Sequence, residues 1–399
     1  AGINNNSPNP SESSFYGKDV DGNLNGYISE QVAFQPFRDT VINAMGNAVL
    51  KEKCVTVLDE YVANGNTCIT SMGITTNDPN VIRLYQHLSS EQTSLLNKVL
   101  QRLGLLPDRK PTLRNFIFIR DDADHLLPFS AHNGDDYFKM AGVKFWYDGS
   151  PYTGSMYLNE PFKSSTVNQK KIHVPSGHSG KALWNNDDIA NRIKQYDSVG
   201  WQVAIHTQGD KAISETLDAF KKSGIQNNSR HRLEHCLLPS KKDIQRMATL
   251  GVSPSFHINH LWYYGEALEN HIIGRERTEE VLPLKEAENN SLIFSLHADQ
   301  PMFESNPLSL LHTAVNRKTR DGKIIGQSNK ISVEQALKSL TINAAWQIDM
   351  ETKIGSIKPG KYADFVILDQ NPMMVDPKKI RDISVLQTIV SGNIIYKKD

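Results

Sequence analysis

Apolar residues recur along this chain with two periods, and the periods alternate. The runs Thr67–Met72, Leu113–Ile119, Gly142–Tyr147, Trp201–His206, Arg230–Cys236, Val252–Phe256 and Ser291–Leu296 have the length and continuity of strands buried on both faces. Between them the apolar spacing is helical. Asp78-Pro79 opens a stripe of Val81, Leu84, Tyr85, Leu88, Leu95, Leu96, Val99 and Leu103, stopped by Gly104. Ile189, Ile193 and Tyr196 mark a helix over Asn186–Val199, and Gly224 closes another over Asp210–Lys222. Ser240 with Asp243 makes a capping-box start, Asn306-Pro307 opens a further helix, and one more runs from Ser332 to about Trp346. Strand and helix in strict alternation predict a parallel sheet covered by helices.

The two ends break this rhythm. Residues 1–30 are rich in Asn, Ser, Pro and Gly, with hairpin signals at Asp21-Gly22 and Asn25-Gly26, and two helical stretches follow between Pro36 and Asn64. Residues 257–290 are irregular and aromatic-rich, as a lid or loop over a site would be. From Lys353 onward only β-like runs remain, Ala363–Leu368, Val385–Val390 and Ile394–Tyr396. The expected fold is α/β, a TIM-like (β/α)₈ barrel whose first strand is not in this sequence, with a small C-terminal β-sandwich portion. The expected divisions are a loop-rich segment at 1–35, the barrel at 36–350 and the sandwich portion at 351–399.

Composition narrows the partners. With 399 residues the chain suits one barrel and an appendage, and its 44 basic residues equal its 44 acidic ones. No global field draws it to nucleic acid or to anionic lipid, and a small neutral substrate is the natural partner. Cys54, Cys68 and Cys236 form no C-x-x-C pair, which suits a reducing, cytoplasmic setting. No apolar run nears the ~20 residues that span a bilayer.

Chemistry gathers at strand ends. The run Val203–Ile205 stops at His206, and the next unit stops at His235, so both imidazoles are expected at the carboxyl ends of neighbouring parallel strands, where barrels place their sites. In GVKFWYDGS the period of two sets Lys144 with Trp146 on one side and Val143 with Phe145 on the other, which points a lysine into the barrel. An ion pair with a carboxylate such as Asp148, a neutral amine, or a carbamate formed with CO₂ would each relieve the cost of burying it. Asp299 closes the last strand. Structural readings stand beside these: hydrogen-bonded histidines at strand ends and an aspartate capping the turn before Pro301.

These stretches resemble the amidohydrolase superfamily, specifically the amidohydrolase-3 branch that includes N-substituted formamide deformylases. Gly142–Ser150 resembles its strand-four lysine motif, His206–Asp210 its H-x-x-G-D, Arg230–His235 its R-x-R-x-E-H, and His297–Pro301 its D-x-P, followed by Asn306-Pro307-Leu308. Ile331–Ala345 and Gly355–Leu368 are similar to its return into a β-sandwich. The resemblance implies one or two divalent metal ions, usually zinc, held by Lys144 as a carbamate, His206, His235 and Asp299, with Asp299 also moving the proton. Trp146, Tyr147 and His297 would line the substrate pocket, and the protein would be a homodimer. The family's H-x-H pair occurs nowhere in this sequence, so the expectation is an upstream segment of roughly 100 or more residues. The resemblance thus implies a metal-dependent hydrolase of C–N bonds. Two other readings remain open at this point: a non-catalytic binding module with an incomplete metal site, and a metal-dependent hydrolase of a lactone, an ester or a deaminated ring.

Overall fold

The computed structural model describes residues 1–10, 14–74, 78–89, 99, 103, 113–131, 134–225 and 228–399. The chain enters through a hairpin, β1 (Phe15–Lys18) and β2 (Leu24–Ser29). The Asp19 carboxylate accepts from the amides of Asp21 and Asn23 to close its turn. Helix α1 (Glu30–Ala63) is two helical stretches joined at Gly46, whose φ of 73° and ψ of 158° leave helical space.

Seven strands then form one parallel sheet in sequence order: β3 (Cys68–Ile74), β4 (Arg114–Arg120), β5 (Phe138–Trp146), β6 (Gln202–Thr207), β7 (Arg232–His235), β8 (Ser253–Phe256) and β9 (Ser295–Leu296). The sheet curls into a half-barrel consistent with a TIM-like barrel. Helices α2 (Pro79–Ser89), α3 (Asn186–Asp197), α4 (Asp210–Ser223), α5 (Lys241–Leu250) and α6 (Asn259–Ala267) fall between the strands, and α7 (Pro307–Asn316), α8 (Val333–Leu340) and α9 (Ile342–Trp346) follow the last. The capping box expected at Ser240 and Asp243 is present, and Asn306 and Ser332 cap their helices. Of the stripe expected up to Gly104, Val81, Leu84, Tyr85 and Leu88 lie on α2, Leu95 and Leu96 lie outside the described residues, and Val99 and Leu103 are exposed.

The sheet has two chemically different faces. Outward, Val143, Phe145, Val203, Ile205 and Leu233 pack on Ile189, Ile193, Ile213 and Leu217 of the helices. Inward, Phe116, Phe118 and Ala204 meet Ala345, Ile348, Met350 and Ile354 and close the floor. Above that floor the lumen is polar. Strand register stacks it in rows, Lys144, Ala204, Arg232 and Ser253 in one, and Trp146, His206, Glu234, Ser255 and Ser295 in the next.

The tail forms a three-stranded antiparallel sheet of β10 (Phe365–Leu368), β11 (Val385–Val390) and β12 (Asn393–Lys397). Ile395 and Tyr396 pack on Leu58 and Val62 of α1, and Thr388 donates to the Val62 carbonyl at 2.6 Å. Among the described residues no helix is long and apolar enough to cross a membrane.

Candidate metal centre

Lys144 lies one row deeper than Trp146 in β5, and its side chain is 98% buried, with its ammonium 5.0 Å from the Trp146 ring centroid. Among the described residues no carboxylate pairs with it at ion-pair distance. Burial drives its pKa down to about 8, against the fields of Glu234 and Asp299, which favour the cation. Glu234 is engaged elsewhere, holding Arg232 through bonds of 2.8 and 3.2 Å. Asp148, the carboxylate suggested as a partner for Lys144, instead accepts from the backbone amides of Tyr157, Gln208 and Gly209 at 2.9–3.0 Å. Burial pushes its carboxyl up to about 7 even so.

His206 continues the inward row of β6. Its Nε2 stands 3.7 Å from the Asp148 carboxylate and 3.4 Å from the Gly149 carbonyl, and burial, then the Lys144 charge, lower its pKa to about 3. The H-x-x-G-D turn beyond it is shaped by space: a Cβ on Gly209 would sit 1.9 Å from the Tyr157 carbonyl oxygen. Asp210 starts α4 and fixes the facing loop by accepting from the Asn159 amide and side chain.

His235 reaches the lumen by a different route. It pairs in register with Thr207 and Phe256, the row that should face outward, yet its φ of +74° turns the chain and brings its ring centroid 4.4 Å from that of His206. Asp299, also at positive φ, is exposed at the mouth of the same cavity, a space of about 1820 Å³ that Lys144, Trp146, His206, His235 and His297 line as well. The four expected ligands therefore share one cavity. Of the expected pocket residues, Trp146 and His297 face it. Tyr147 does not: the pleat sends it outward into the helix layer, where its hydroxyl donates to Glu215 at 2.7 Å.

Two further imidazoles join the cluster. His257 follows directly on β8 and His260 stands in the first turn of α6. One ring nitrogen from each of His235, His257 and His260 lies within 4.8 Å of the others. His260 Nδ1 is 2.7 Å from the Tyr152 hydroxyl, and its Nε2 is 3.2 Å from the Gln208 side-chain amide. His257 is 98% buried with neither ring nitrogen in a hydrogen bond of normal geometry. The signal for this pair was an apolar run stopping at a histidine, SPSFH, as the β6 run stops at His206.

Neutral imidazoles with bare nitrogens are the donors that soft-borderline divalent ions take. A tetrahedral ion about 2.0–2.1 Å from each nitrogen sets them about 3.3 Å apart, inside the 4.8 Å span of the three rings. The residues present fit a metal ion.

A curled parallel α/β sheet with a polar, histidine-rich cavity at its carboxyl end defines the TIM-barrel-like class of protein. Within that class, residues 1–396 match the model of the amidohydrolase family, and the chain belongs to it. It is 26% identical over 299 residues to the N-substituted formamide deformylase of Arthrobacter pascens, covering 71% of this chain and 55% of that protein. It is 28% identical over 358 residues to Protein LONG AFTER FAR-RED 3 of Arabidopsis thaliana, covering 87% and 59%. The chain thus spans little more than half the length of these relatives. Uncharacterised metal-dependent hydrolases from Pyrococcus horikoshii and Pyrococcus furiosus share the fold, with TM-scores of 0.66 and 0.63 at 22% and 20% identity, each over 92% of this chain and 68% of theirs.

Proposed function

We propose that this chain carries the barrel of a metal-dependent hydrolase that opens a C–N bond, an amide, N-acyl or N-formyl group, with water. The observation that carries the reading is the convergence of Lys144, His206, His235 and Asp299 on one cavity. These four would hold one or two divalent ions, zinc being the expected one, with His257 and His260 in reach. When bound, such an ion lowers the pKa of a water molecule and polarises a carbonyl.

The chain's own groups do the rest. Lys144 has no carboxylate at ion-pair distance among the described residues, and burial, by lowering its pKa to about 8, makes its neutral amine more available than a surface lysine's. Its amine nitrogen adds to CO₂ and loses a proton, leaving a carbamate anion among the imidazoles. Asp299, exposed at the mouth, accepts a proton from the attacking water and returns it to the departing nitrogen. Trp146 supplies an apolar wall beside the lysine. The zero net charge and the cavity suit a small-molecule substrate, and the deformylase relative supports the choice of bond.

The test is metal content by elemental analysis of protein purified without chelator, together with amine release from a panel of N-substituted formamides and N-acyl amines. The wild-type chain holds near-stoichiometric metal and hydrolyses members of the panel, and His235→Asn loses both. A His235→Asn protein with wild-type activity would end this assignment.

A further inference from the structure

Beneath His235 a line of hydrogen bonds descends to the barrel floor, and its direction can be deduced atom by atom. It ends at Gln347, next after α9, which is 99% buried. The Gln347 side-chain nitrogen lies 3.0 Å from the Pro254 carbonyl and 2.6 Å from the Ser253 hydroxyl. A carbonyl only accepts, and Ser253 spends its own proton on the Ile293 carbonyl at 2.6 Å. Both neighbours therefore demand a donor, which fixes the amide with its NH₂ on that side and its oxygen on the other.

The oxygen faces the Ser295 hydroxyl at 2.6 Å. An amide oxygen has no proton, so Ser295 must donate. Ser295 Oγ and Ser255 Oγ are 2.9 Å apart, and with the Ser295 proton committed, Ser255 donates to it. Ser255 Oγ is also 2.8 Å from His297 Nδ1, so Nδ1 carries a proton and gives it to the hydroxyl oxygen. A neutral imidazole has one N–H, so His297 Nε2 is bare and accepts from His235 Nδ1 at 3.2 Å. His235 Nε2 is then left as a lone pair.

We propose that Gln347 is a positioning residue that sets the tautomer of His235 through Ser295, Ser255 and His297, presenting a bare Nε2 for metal binding. The proposal rests on the hydrolase reading only in giving that lone pair an ion to hold. Metal-binding histidines depend on a partner at the other ring nitrogen, and here that partner takes its own orientation from an amide three hydrogen bonds further down. Reversing the line would set the Gln347 oxygen against the Ser295 lone pairs and strand two buried acceptors.

The test uses the whole 399-residue chain with ¹⁵N-labelled histidine, in wild-type, Gln347→Leu, Gln347→Glu and Ser255→Ala forms. Long-range ¹⁵N–¹H correlation spectra of the metal-free protein assign the His235 proton, and Co²⁺ titration gives affinity. The wild type shows Nδ1–H. Gln347→Leu and Ser255→Ala, with native circular dichroism, move a fraction of that proton to Nε2 and bind Co²⁺ about 10–100-fold more weakly. Gln347→Glu, whose carboxyl keeps the acceptor facing Ser295 but offers at most one of the two donors, stays closer to wild type than Gln347→Leu in both, which a merely structural role would not predict. Wild-type spectra and affinity in both Gln347→Leu and Ser255→Ala overturn the proposal, as does Nε2–H in the wild type. If the wild type binds no Co²⁺, the hydrolase reading fails while the spectra still decide the relay.

Discussion

The rings of His206 and His235 stand 4.4 Å apart and tilted by 57°, both enclosed by the lumen. Burial is the main reason each resists protonation, His206 down to about 3 and His235 well below the usual histidine range. In the unfolded chain both take up protons near 6.5. Between about 6.5 and 3 these two side chains bind more protons unfolded than folded, so their contribution to stability must fall as pH falls through that window, opposed in part by the Asp148 carboxyl, which burial pushes up to about 7. Chelator-treated protein should lose melting temperature steadily from pH 7 to pH 5, and His206→Gln should flatten that slope. An unchanged melting temperature across this range in the wild type would contradict the assignment of buried neutral imidazoles.

Tyr147 and Trp146 are adjacent in sequence but serve opposite faces of the sheet. Tyr147→Phe removes a buried hydroxyl that donates to Glu215 at 2.7 Å, costing about 1–3 kcal/mol in urea denaturation. Cation binding in the lumen should not change. A loss of Co²⁺ affinity without a loss of stability would place Tyr147 in the pocket after all.

Much of this arrangement is legible in the residues themselves. The run Val203–Ile205 stopping at His206, the pleat that sets Lys144 opposite Val143 and Phe145, and the caps at Ser240, Asn306 and Ser332 follow from local periodicity and hydrogen-bonding chemistry. His235 is different. A period of two assigns it the outward side once Arg232 and Glu234 point inward, and only a left-handed residue at the strand end reverses that. His257 and His260 sit in an aromatic stretch that reads as a lid, although the apolar run before them carries the same strand-end signature as β6. Tyr147 is the converse case, since the pleat that buries Lys144 already sends it to the helices. The last strand is shorter than its apolar run, because only Ser295 and Leu296 pair with β8. The lumen rows and the Gln347 relay join distant segments, and no local pattern encodes them.

Gly209 tests the turn that follows His206. Its φ of −80° is open to any residue, so conformational freedom is not the issue. Space is: the Tyr157 carbonyl oxygen would lie 1.9 Å from a Cβ, and the Gly209 amide is one of the three that hold Asp148. Gly209→Ala must push the Tyr157 segment away or rotate the turn, at a cost of at least about 1–3 kcal/mol in denaturant titrations. A variant as stable as wild type would mean that this loop yields freely.

Arg114 ties the barrel to the tail. Its guanidinium, fully buried at the start of β4, forms a two-pronged pair with Asp364 at 2.8 and 3.1 Å, donates to the Asp136 carbonyl and the Ser391 hydroxyl, and lies 4.3 Å from the ring centroids of both Tyr137 and Tyr362. Removing the carboxylate leaves a cation out of water with only neutral partners, so Asp364→Ala should cost about 3–5 kcal/mol. Replacing both members, as Arg114→Met with Asp364→Leu, removes the stranded charge along with its partner. Chemical denaturation should then recover much of the loss, because the penalty of the single variant lies in the unpaired ion rather than in the missing attraction. Equal instability of the single and double variants would show that the guanidinium's shape between the two tyrosines, not its charge balance, holds the β10–β12 sheet to the barrel.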